Sequence, residues 1–132
     1  GFAMFKSKVS KFNIVDATPF GRDVTAELAE ACYKHGLKFG LYYSQDLDWN
    51  HPDGGGFKEK RVWGYDEACY WTNEWDYPDN SKKDYSRCFN EKIKPQVEEI
   101  LTNYGDISIL WFDVPYTISP AQEVPCVCML RL

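Results

Sequence analysis

Two short apolar stretches decide the fold of this chain: Leu37 to Tyr43 (LKFGLYY) and Ile107 to Phe112 (ISILWF). Each is almost continuously apolar, which is typical of a strand buried on both faces of a parallel sheet. A third apolar run, Phe2 to Phe5, opens the chain. Together the three runs predict three parallel strands, and parallel strands need long crossover connections, usually helices.

The segment before the predicted strand Leu37 to Tyr43 predicts a helix. Asp23 can cap its start, and apolar residues then recur at helical spacing: Val24, Leu28, Ala31 and Cys32. His35 lies in the last turn, and Gly36 suits the left-handed position that ends many helices. The polar, irregular stretch from Lys6 to Arg22 is predicted to be a loop.

A second helical stripe precedes the last strand. Its members are Phe89, Ile93, Val97, Ile100, Leu101 and Tyr104. Pro95 interrupts it, and because proline costs about 3 kcal/mol inside a helix, a kink or break is expected just before it. Gly105 is expected to end the helix. Ser44 to Lys83, between the strand Leu37 to Tyr43 and this helix, is predicted to be a long polar loop. Within it, Glu67 to Trp75 fits a short helix or an extended segment equally well.

The order strand, helix, strand, helix, strand fits either an α/β barrel or an open doubly wound sheet. No glycine-rich phosphate loop follows a strand, which disfavours dinucleotide binding. In both folds the carboxyl ends of the strands carry the chemistry. Here those ends present Tyr42 to Trp49 after one strand and Asp113 after the next.

Composition excludes some classes of function. The net charge is −5 and the basic residues are scattered, so the chain lacks the clustered positive face of a nucleic-acid-binding protein. No apolar run reaches the roughly 20 residues of a membrane span. Aromatic residues make up 17% of the chain, which suits a core and also a carbohydrate site.

Cysteines and acidic loop residues indicate no metal site. The cysteines are five in number and irregularly spaced, so we expect free thiols and neither a disulfide framework nor a zinc site. Asp46, Asp48 and Asp53 are too loosely spaced for a calcium loop. We expect them to be solvated loop carboxylates, and we predict neither a metal nor a cofactor.

Asp113 is the sharpest single feature of the sequence. It terminates an apolar strand directly after Trp111 and Phe112, where its carboxylate would face an aromatic-walled mouth. A rigidly held, partly desolvated carboxylate suits a nucleophile. Taken alone, a strand-end aspartate more often accepts hydrogen bonds from loop amides.

Three longer stretches give this feature a context. They are GFAMFKSKVSKFNIVDATPFGRD (Gly1 to Asp23), KHGLKFGLYYSQDLDW (Lys34 to Trp49) and YGDISILWFDVPYTIS (Tyr104 to Ser119). In order and spacing they resemble the α-L-fucosidase family of glycoside hydrolases, and the resemblance runs from Gly1 to about Gln122. It implies part of a (β/α)8 TIM-type barrel in residues 1–122, followed by a divergent tail, 123–132.

The resemblance also implies a chemistry and a site. Asp113 matches the catalytic nucleophile of a retaining hydrolase that removes terminal α-L-fucosyl residues from oligosaccharides and glycoconjugates. Tyr42 matches a residue that contacts the sugar, and Trp49 and Trp111 match motif positions near the pocket. Families of this kind act in secreted, periplasmic or lysosomal settings, and the sequence leaves the compartment and the oligomeric state open.

The chain departs from the family in two respects. The His-His-Asp that the family places directly before the opening Gly-Phe is absent, and His35 and His51 are expected to be solvated rather than to replace it. The general acid/base comes from further along the family's sequence, and Glu123 lies where the resemblance ends. Since a full barrel takes about 250 residues, we expect this chain to be incomplete and inactive alone. The alternatives are a non-catalytic fucose-binding domain and an unrelated α/β enzyme.

Overall fold

The computed structural model describes residues 1–45, 48–54 and 73–113. Its regular elements, in chain order, are helix α1 (Val24–Lys34), strand β1 (Phe39–Ser44), a 3-10 turn (Asn80–Lys82), helix α2 (Tyr85–Cys88), a π-helical turn (Phe89–Ile93), helix α3 (Lys94–Asn103) and strand β2 (Ile107–Asp113). The described part of the chain is therefore an α/β structure. The predicted segment Glu67 to Trp75 and the tail 123–132 lie wholly or mostly outside it.

The strands β1 and β2 pair in parallel, as predicted, with Leu41 opposite Leu110 and Ser44 opposite Asp113. The prediction of a third strand at Phe2 to Phe5 is wrong for the described residues. Ala3 makes only an isolated bridge with Asn13. Its backbone N–H donates to the Phe12 carbonyl at 3.1 Å and its carbonyl accepts from Ile14 at 2.9 Å, so the adjoining loop takes up both groups.

Helix α1 begins and ends as its sequence predicts. The Asp23 side chain caps it by accepting hydrogen bonds from the amides of Thr25 and Ala26. Gly36 adopts the left-handed conformation with φ of +65°. The apolar stripe is less covered than its spacing suggests, because Leu28 is 58% exposed.

Proline produces the predicted break in the second helical segment. α2 and α3 are joined by the π-helical turn, and Pro95 lies in the first turn of α3. A proline lacks the N–H that an α-helical bond would need, so the wider turn before it accommodates the missing donor. Gly105, with φ of +71°, follows the end of α3.

The core lies between the α2–α3 segment and one face of the sheet. Its fully buried members include Cys88, Ile93, Val97 and Ile100. The strands contribute alternate residues, which pack against it from Phe39, Leu41, Tyr43, Leu110 and Phe112. The opposite face of the sheet carries Tyr42, Ile109 and Trp111, which are 58%, 64% and 66% exposed. Within the described residues, no helix is long and apolar enough to cross a membrane.

Candidate active site

The carboxyl ends of β1 and β2 bring two predicted site residues into contact. Tyr42 is two residues before the end of β1, and Asp113 is the last residue of β2. The Tyr42 hydroxyl donates a hydrogen bond of 2.7 Å to Oδ2 of Asp113. The backbone N–H of Gln45 donates to the Asp113 carbonyl at 3.1 Å, which continues the strand pairing beyond Ser44. The side chain and the main chain of Asp113 are therefore both held from β1.

The hydrogen bond also fixes the protonation of Tyr42. It is the largest cause that raises the pKa of Tyr42, with burial and the negative charge of Asp113 adding to it and a contact with Ser44 opposing it. A tyrosine whose pKa lies above its ordinary value of 10.0 remains a phenol at neutral pH. Tyr42 is thus a permanent hydrogen-bond donor to the carboxylate.

Trp111 stands beside this pair on the same face of the sheet. It is the register partner of Tyr42, so both side chains project from the same face, and Asp113 follows two residues later. Tyr42 and Trp111 are both mainly exposed. The face presents a phenol, an indole and a carboxylate together, which is the combination expected where a sugar ring packs on aromatic surface and reacts at a carboxylate.

The layer beneath β1 is a network of polar groups that sequence reasoning did not predict. The Tyr43 hydroxyl donates to Oε1 of Gln96 at 2.8 Å, and Nε2 of Gln96 donates to the Ser7 hydroxyl at 3.1 Å. Ser7 in turn donates to Oε2 of Glu99 at 2.8 Å. Tyr42 and Tyr43, adjacent in sequence, therefore have opposite tasks: one meets Asp113 and the other anchors the strand to α3.

The loop after β1 is fixed by a buried ion pair. Nζ of Lys92 lies 2.6 Å from Oδ2 of Asp48, and both side chains are almost fully buried. Burial alone would raise the pKa of Asp48, but nearby positive charges, among them Lys92, outweigh it and hold the pKa below its ordinary value. Asp48 therefore stays ionised. Its predicted role as a solvated loop carboxylate is wrong, because its partner comes from the π-helical turn.

Asp53 is also buried and paired. Arg87 reaches it through two hydrogen bonds, Nε to Oδ2 at 2.9 Å and the terminal nitrogen to Oδ1 at 2.6 Å. The amide of Asp84 adds a third at 2.8 Å. The solvated role predicted for Asp53 is likewise wrong, and Asp46 lies outside the described residues. Within the described residues, no group of His, Cys, Asp and Glu side chains could hold a metal ion.

Asn73 ties the two ends of the long loop together. Its side-chain amide is fully buried and donates to the carbonyls of His51 and Gly54, both at 2.9 Å. Lys83 donates to its side-chain oxygen. Gly54 is packed so closely that a Cβ there would lie 2.7 Å from Cβ of Asp48. These contacts hold residues 48–54 and 73–77 together.

Trp49 lies in this part of the loop, and its ring stacks on that of Trp75. Their ring centroids are 5.3 Å apart and their planes differ by 15°. Trp49 is 38% exposed and Trp75 is 70% exposed. Trp49 is thus the one predicted site residue that sits on the loop instead of on a strand. Trp75 was not predicted as a site residue, since nothing in its local sequence distinguishes it from the other aromatic residues of the long loop.

The histidines and cysteines divide between surface and interior. His35 is exposed, as predicted, whereas His51 is half-buried and its Nδ1 accepts from the Asp53 amide at 3.1 Å. Burial lowers the pKa of His51, which agrees with an unprotonated Nδ1. Cys32 and Cys88 are free thiols, as predicted. The other three cysteines lie outside the described residues.

Similarity to known proteins now gives this geometry a family. Residues 1–125 match the family model described as Alpha-L-fucosidase. The chain belongs to the α-L-fucosidase family. The resemblance stated from the sequence is therefore confirmed over almost the whole chain.

Solved α-L-fucosidases share both the sequence and the fold of the described part. The α-L-fucosidase AlfC from Lactobacillus casei, in complex with its α-L-fucose product, is 55% identical with a TM-score of 0.89, over 99% of this chain and 39% of that one. A variant of AlfC in complex with Fuca(1,6)GlcNAc is 54% identical with a TM-score of 0.89, over 99% and 40% of the two chains.

A more distant α-L-fucosidase, from Vibrio sp. strain EJY3, is 35% identical with a TM-score of 0.79, over 99% of this chain and 21% of that one. The chain therefore spans two fifths or less of the length of these relatives. No curated protein sequence matches the chain significantly.

Proposed function

We propose that the protein hydrolyses terminal α-L-fucosyl residues of oligosaccharides and glycoconjugates by a retaining double displacement, with Asp113 as the nucleophile. The observation that carries this proposal is the position of Asp113 in a chain of the α-L-fucosidase family. Asp113 ends a strand on the open face of the sheet and accepts a 2.7 Å hydrogen bond from Tyr42. The proposed double displacement requires no metal or cofactor.

Asp113 acts in two steps. A carboxylate oxygen of Asp113 attacks the anomeric carbon, and the bond from that carbon to the leaving oxygen breaks while a general acid protonates the leaving group. Water then attacks the same carbon with loss of a proton to the conjugate base, and the bond to Asp113 breaks. Two inversions give net retention of configuration.

Tyr42 positions the attacking group. Its hydroxyl donates to Oδ2 of Asp113, the carboxylate that attacks the anomeric carbon. A hydrogen bond to an ionised carboxylate is among the stronger ones in proteins and restrains its rotation. Trp111, and more peripherally Trp49, supply aromatic surface for the sugar.

The exposed face of the sheet supports the barrel architecture. We propose that β1 and β2 are neighbouring strands of a (β/α)8 barrel, and that Tyr42, Ile109, Trp111 and Asp113 face its interior. In such barrels the carboxyl ends of the strands form the active site. An open face with two large apolar side chains more than 60% exposed fits a surface that further strands cover. The general acid/base then comes from another part of the barrel, outside this chain.

The substrate class comes from the relatives. AlfC has been solved with α-L-fucose, and its variants with Fuca(1,6)GlcNAc and with 4-nitrophenyl-α-L-fucopyranoside. We propose the same class, a fucosyl group on a sugar or an aryl leaving group, for the protein that contains this chain.

Hydrolysis of 4-nitrophenyl α-L-fucoside tests the proposal. The complete product of the gene should release nitrophenol, whereas the isolated 132-residue chain should be inactive. Asp113→Ala should reduce turnover about 10⁴-fold, because an essential nucleophile is lost. Azide should restore part of the turnover and yield fucosyl azide of inverted configuration.

The alternative of a non-catalytic fucose-binding domain predicts other results. The complete gene product would bind fucose without releasing nitrophenol, and Asp113→Ala with azide would form no fucosyl azide. Either result would overturn the proposed hydrolase.

A further inference from the structure

An exposed, stacked pair of indoles stands on the loop that follows β1. Trp49 and Trp75 lie nearly parallel, with centroids 5.3 Å apart. Since Trp49 covers one face of Trp75, and Trp75 is nonetheless 70% exposed, the other face of Trp75 is open to solvent.

The pair is not needed to hold the loop. Polar contacts already do so, through the buried Asp48–Lys92 pair and the three carbonyls that Asn73 binds. Neither indole belongs to the hydrophobic core. Trp75 is presented by a tight turn in which the amides of Asp76 and Tyr77 both donate to the Asn73 carbonyl. A tight turn therefore displays a large apolar ring that is mainly exposed in the described part of the chain.

The pair stands at the same end of the sheet as Asp113. The chain leaves β1 at Ser44, whose register partner is Asp113, and reaches Trp49 five residues later. Gly1 lies near both the indole pair and strand β1. Its Cα lies against Trp49, since a Cβ built there would be 3.8 Å from Cδ1 of the indole. Gly1 also lines a cavity of about 240 Å³ that includes Tyr42 and Ser44.

We propose that Trp49 and Trp75 form the platform on which the leaving-group sugar packs while the fucosyl group lies at Asp113. This inference rests on the proposed function. A pyranose ring has an apolar face of C–H groups that can pack on the face of an indole. Trp111 lies two residues before the nucleophile on β2, whereas the indole pair lies on the loop that follows β1. Trp75 is thus a specificity-determining residue and not a catalytic one.

Two fucosyl donors separate this role from the chemistry. Fucα1,6GlcNAc has a sugar leaving group that can reach the platform, and α-L-fucosyl fluoride has a leaving group without a ring. In the complete gene product, Trp75→Ala should lower kcat/KM for the disaccharide about 5- to 10-fold, because the leaving-group sugar loses its packing surface. It should leave kcat/KM for the fluoride within about 2-fold. Trp75→Phe should recover most of the loss.

Tyr33→Ala is the matched control. Tyr33 is 87% exposed and lies at the end of α1, so its removal should leave both substrates unaffected. Since Trp75 is mainly exposed, the melting temperature of its variants should stay close to that of the parent protein. If Trp75→Ala fails to fold, Trp75→Leu, which also lacks the aromatic ring, should show the same selective loss for the disaccharide.

Equal effects of Trp75→Ala on both donors, or no effect on either, would overturn the platform and leave the proposed hydrolase intact. Failure of the unsubstituted protein to cleave even the fluoride would instead overturn the proposed function, and the platform with it.

Discussion

The two faces of the β1–β2 sheet differ in what their residues do. On the covered face, Leu41, Tyr43 and Leu110 pack against the α2–α3 segment, and Leu110 is only 8% exposed. On the open face, Tyr42 and Trp111 are mainly exposed. Because side chains alternate along a strand, neighbouring residues serve opposite purposes. The covered face holds the strands in place, and the open face carries the candidate chemistry.

On the covered side, the largest loss of stability is expected when one partner of the buried Asp48–Lys92 ion pair is removed. Lys92→Met leaves the Asp48 carboxylate buried without its 2.6 Å partner, and breaking a buried pair costs about 3–5 kcal/mol. Urea unfolding of the complete gene product measures this. Adding Asp48→Asn should recover part of the loss, since the uncompensated charge is removed.

Lys82→Met provides the control, because Lys82 pairs with Asp79 at 2.8 Å on the surface and its loss should change stability little. A Lys92→Met variant as stable as Lys82→Met would show that the Asp48–Lys92 pair does not hold the loop.

The core beneath the sheet should respond to cavity formation. Ile100 is 2% exposed, so Ile100→Ala should cost about 2–5 kcal/mol and Ile100→Val about 0.5–1.5 kcal/mol. Below the melting temperature, kcat/KM should stay within about 2-fold of the parent value, since Ile100 lies on the covered side. A large fall in kcat/KM for the folded Ile100→Val variant would contradict the assignment of catalysis to the open face alone.

Adjacent tyrosines provide the sharpest comparison. Tyr42→Phe removes the donor to Asp113, and because hydrogen bonds to charged groups are strong, kcat/KM should fall about 10- to 100-fold with little change in melting temperature. Tyr43→Phe removes the bond to Gln96, which should cost about 1 kcal/mol of stability and leave kcat/KM nearly unchanged. The reverse assignment of effects would contradict the alternation.

The smallest expected effect is a difference in reactivity between two cysteine thiols. Burial raises the pKa of Cys88 to about 12, so at pH 9 it remains a thiol, and only the thiolate reacts with iodoacetamide. Cys32 is half-buried on α1 and should be modified first. Peptide mapping should find Cys88 unmodified in the native protein and fully modified in urea. Rapid labelling of native Cys88 would show that the core opens readily.

The parts that the sequence predicts are those coded by local patterns. Asp23, Gly36 and Pro95 act on their own neighbours, so the start of α1, its end and the break before α3 follow from local rules. The placement of Tyr42 and Asp113 at one edge of the sheet was predictable because parallel strands align their carboxyl ends, whereas the hydrogen bond between them was not predicted.

What the sequence misses depends on distant partners. Asp53 reads as a solvated carboxylate because its partner, Arg87, is 34 residues away along the chain. The stacking of Trp75 on Trp49 has the same cause. Phe2 to Phe5 reads as a strand from its apolar side chains, but the loop at Asn13 takes up the backbone groups of Ala3.

Covalent trapping at Asp113 tests the central claim most directly. A fluorinated fucosyl fluoride slows the second displacement, so a fucosyl-enzyme should accumulate in the complete gene product. Mass spectrometry of its peptides should then place one fluorofucosyl group on Asp113, with no label in Asp113→Ala. A label on another carboxylate, or continued turnover by Asp113→Ala without azide, would contradict the assignment of Asp113 as nucleophile.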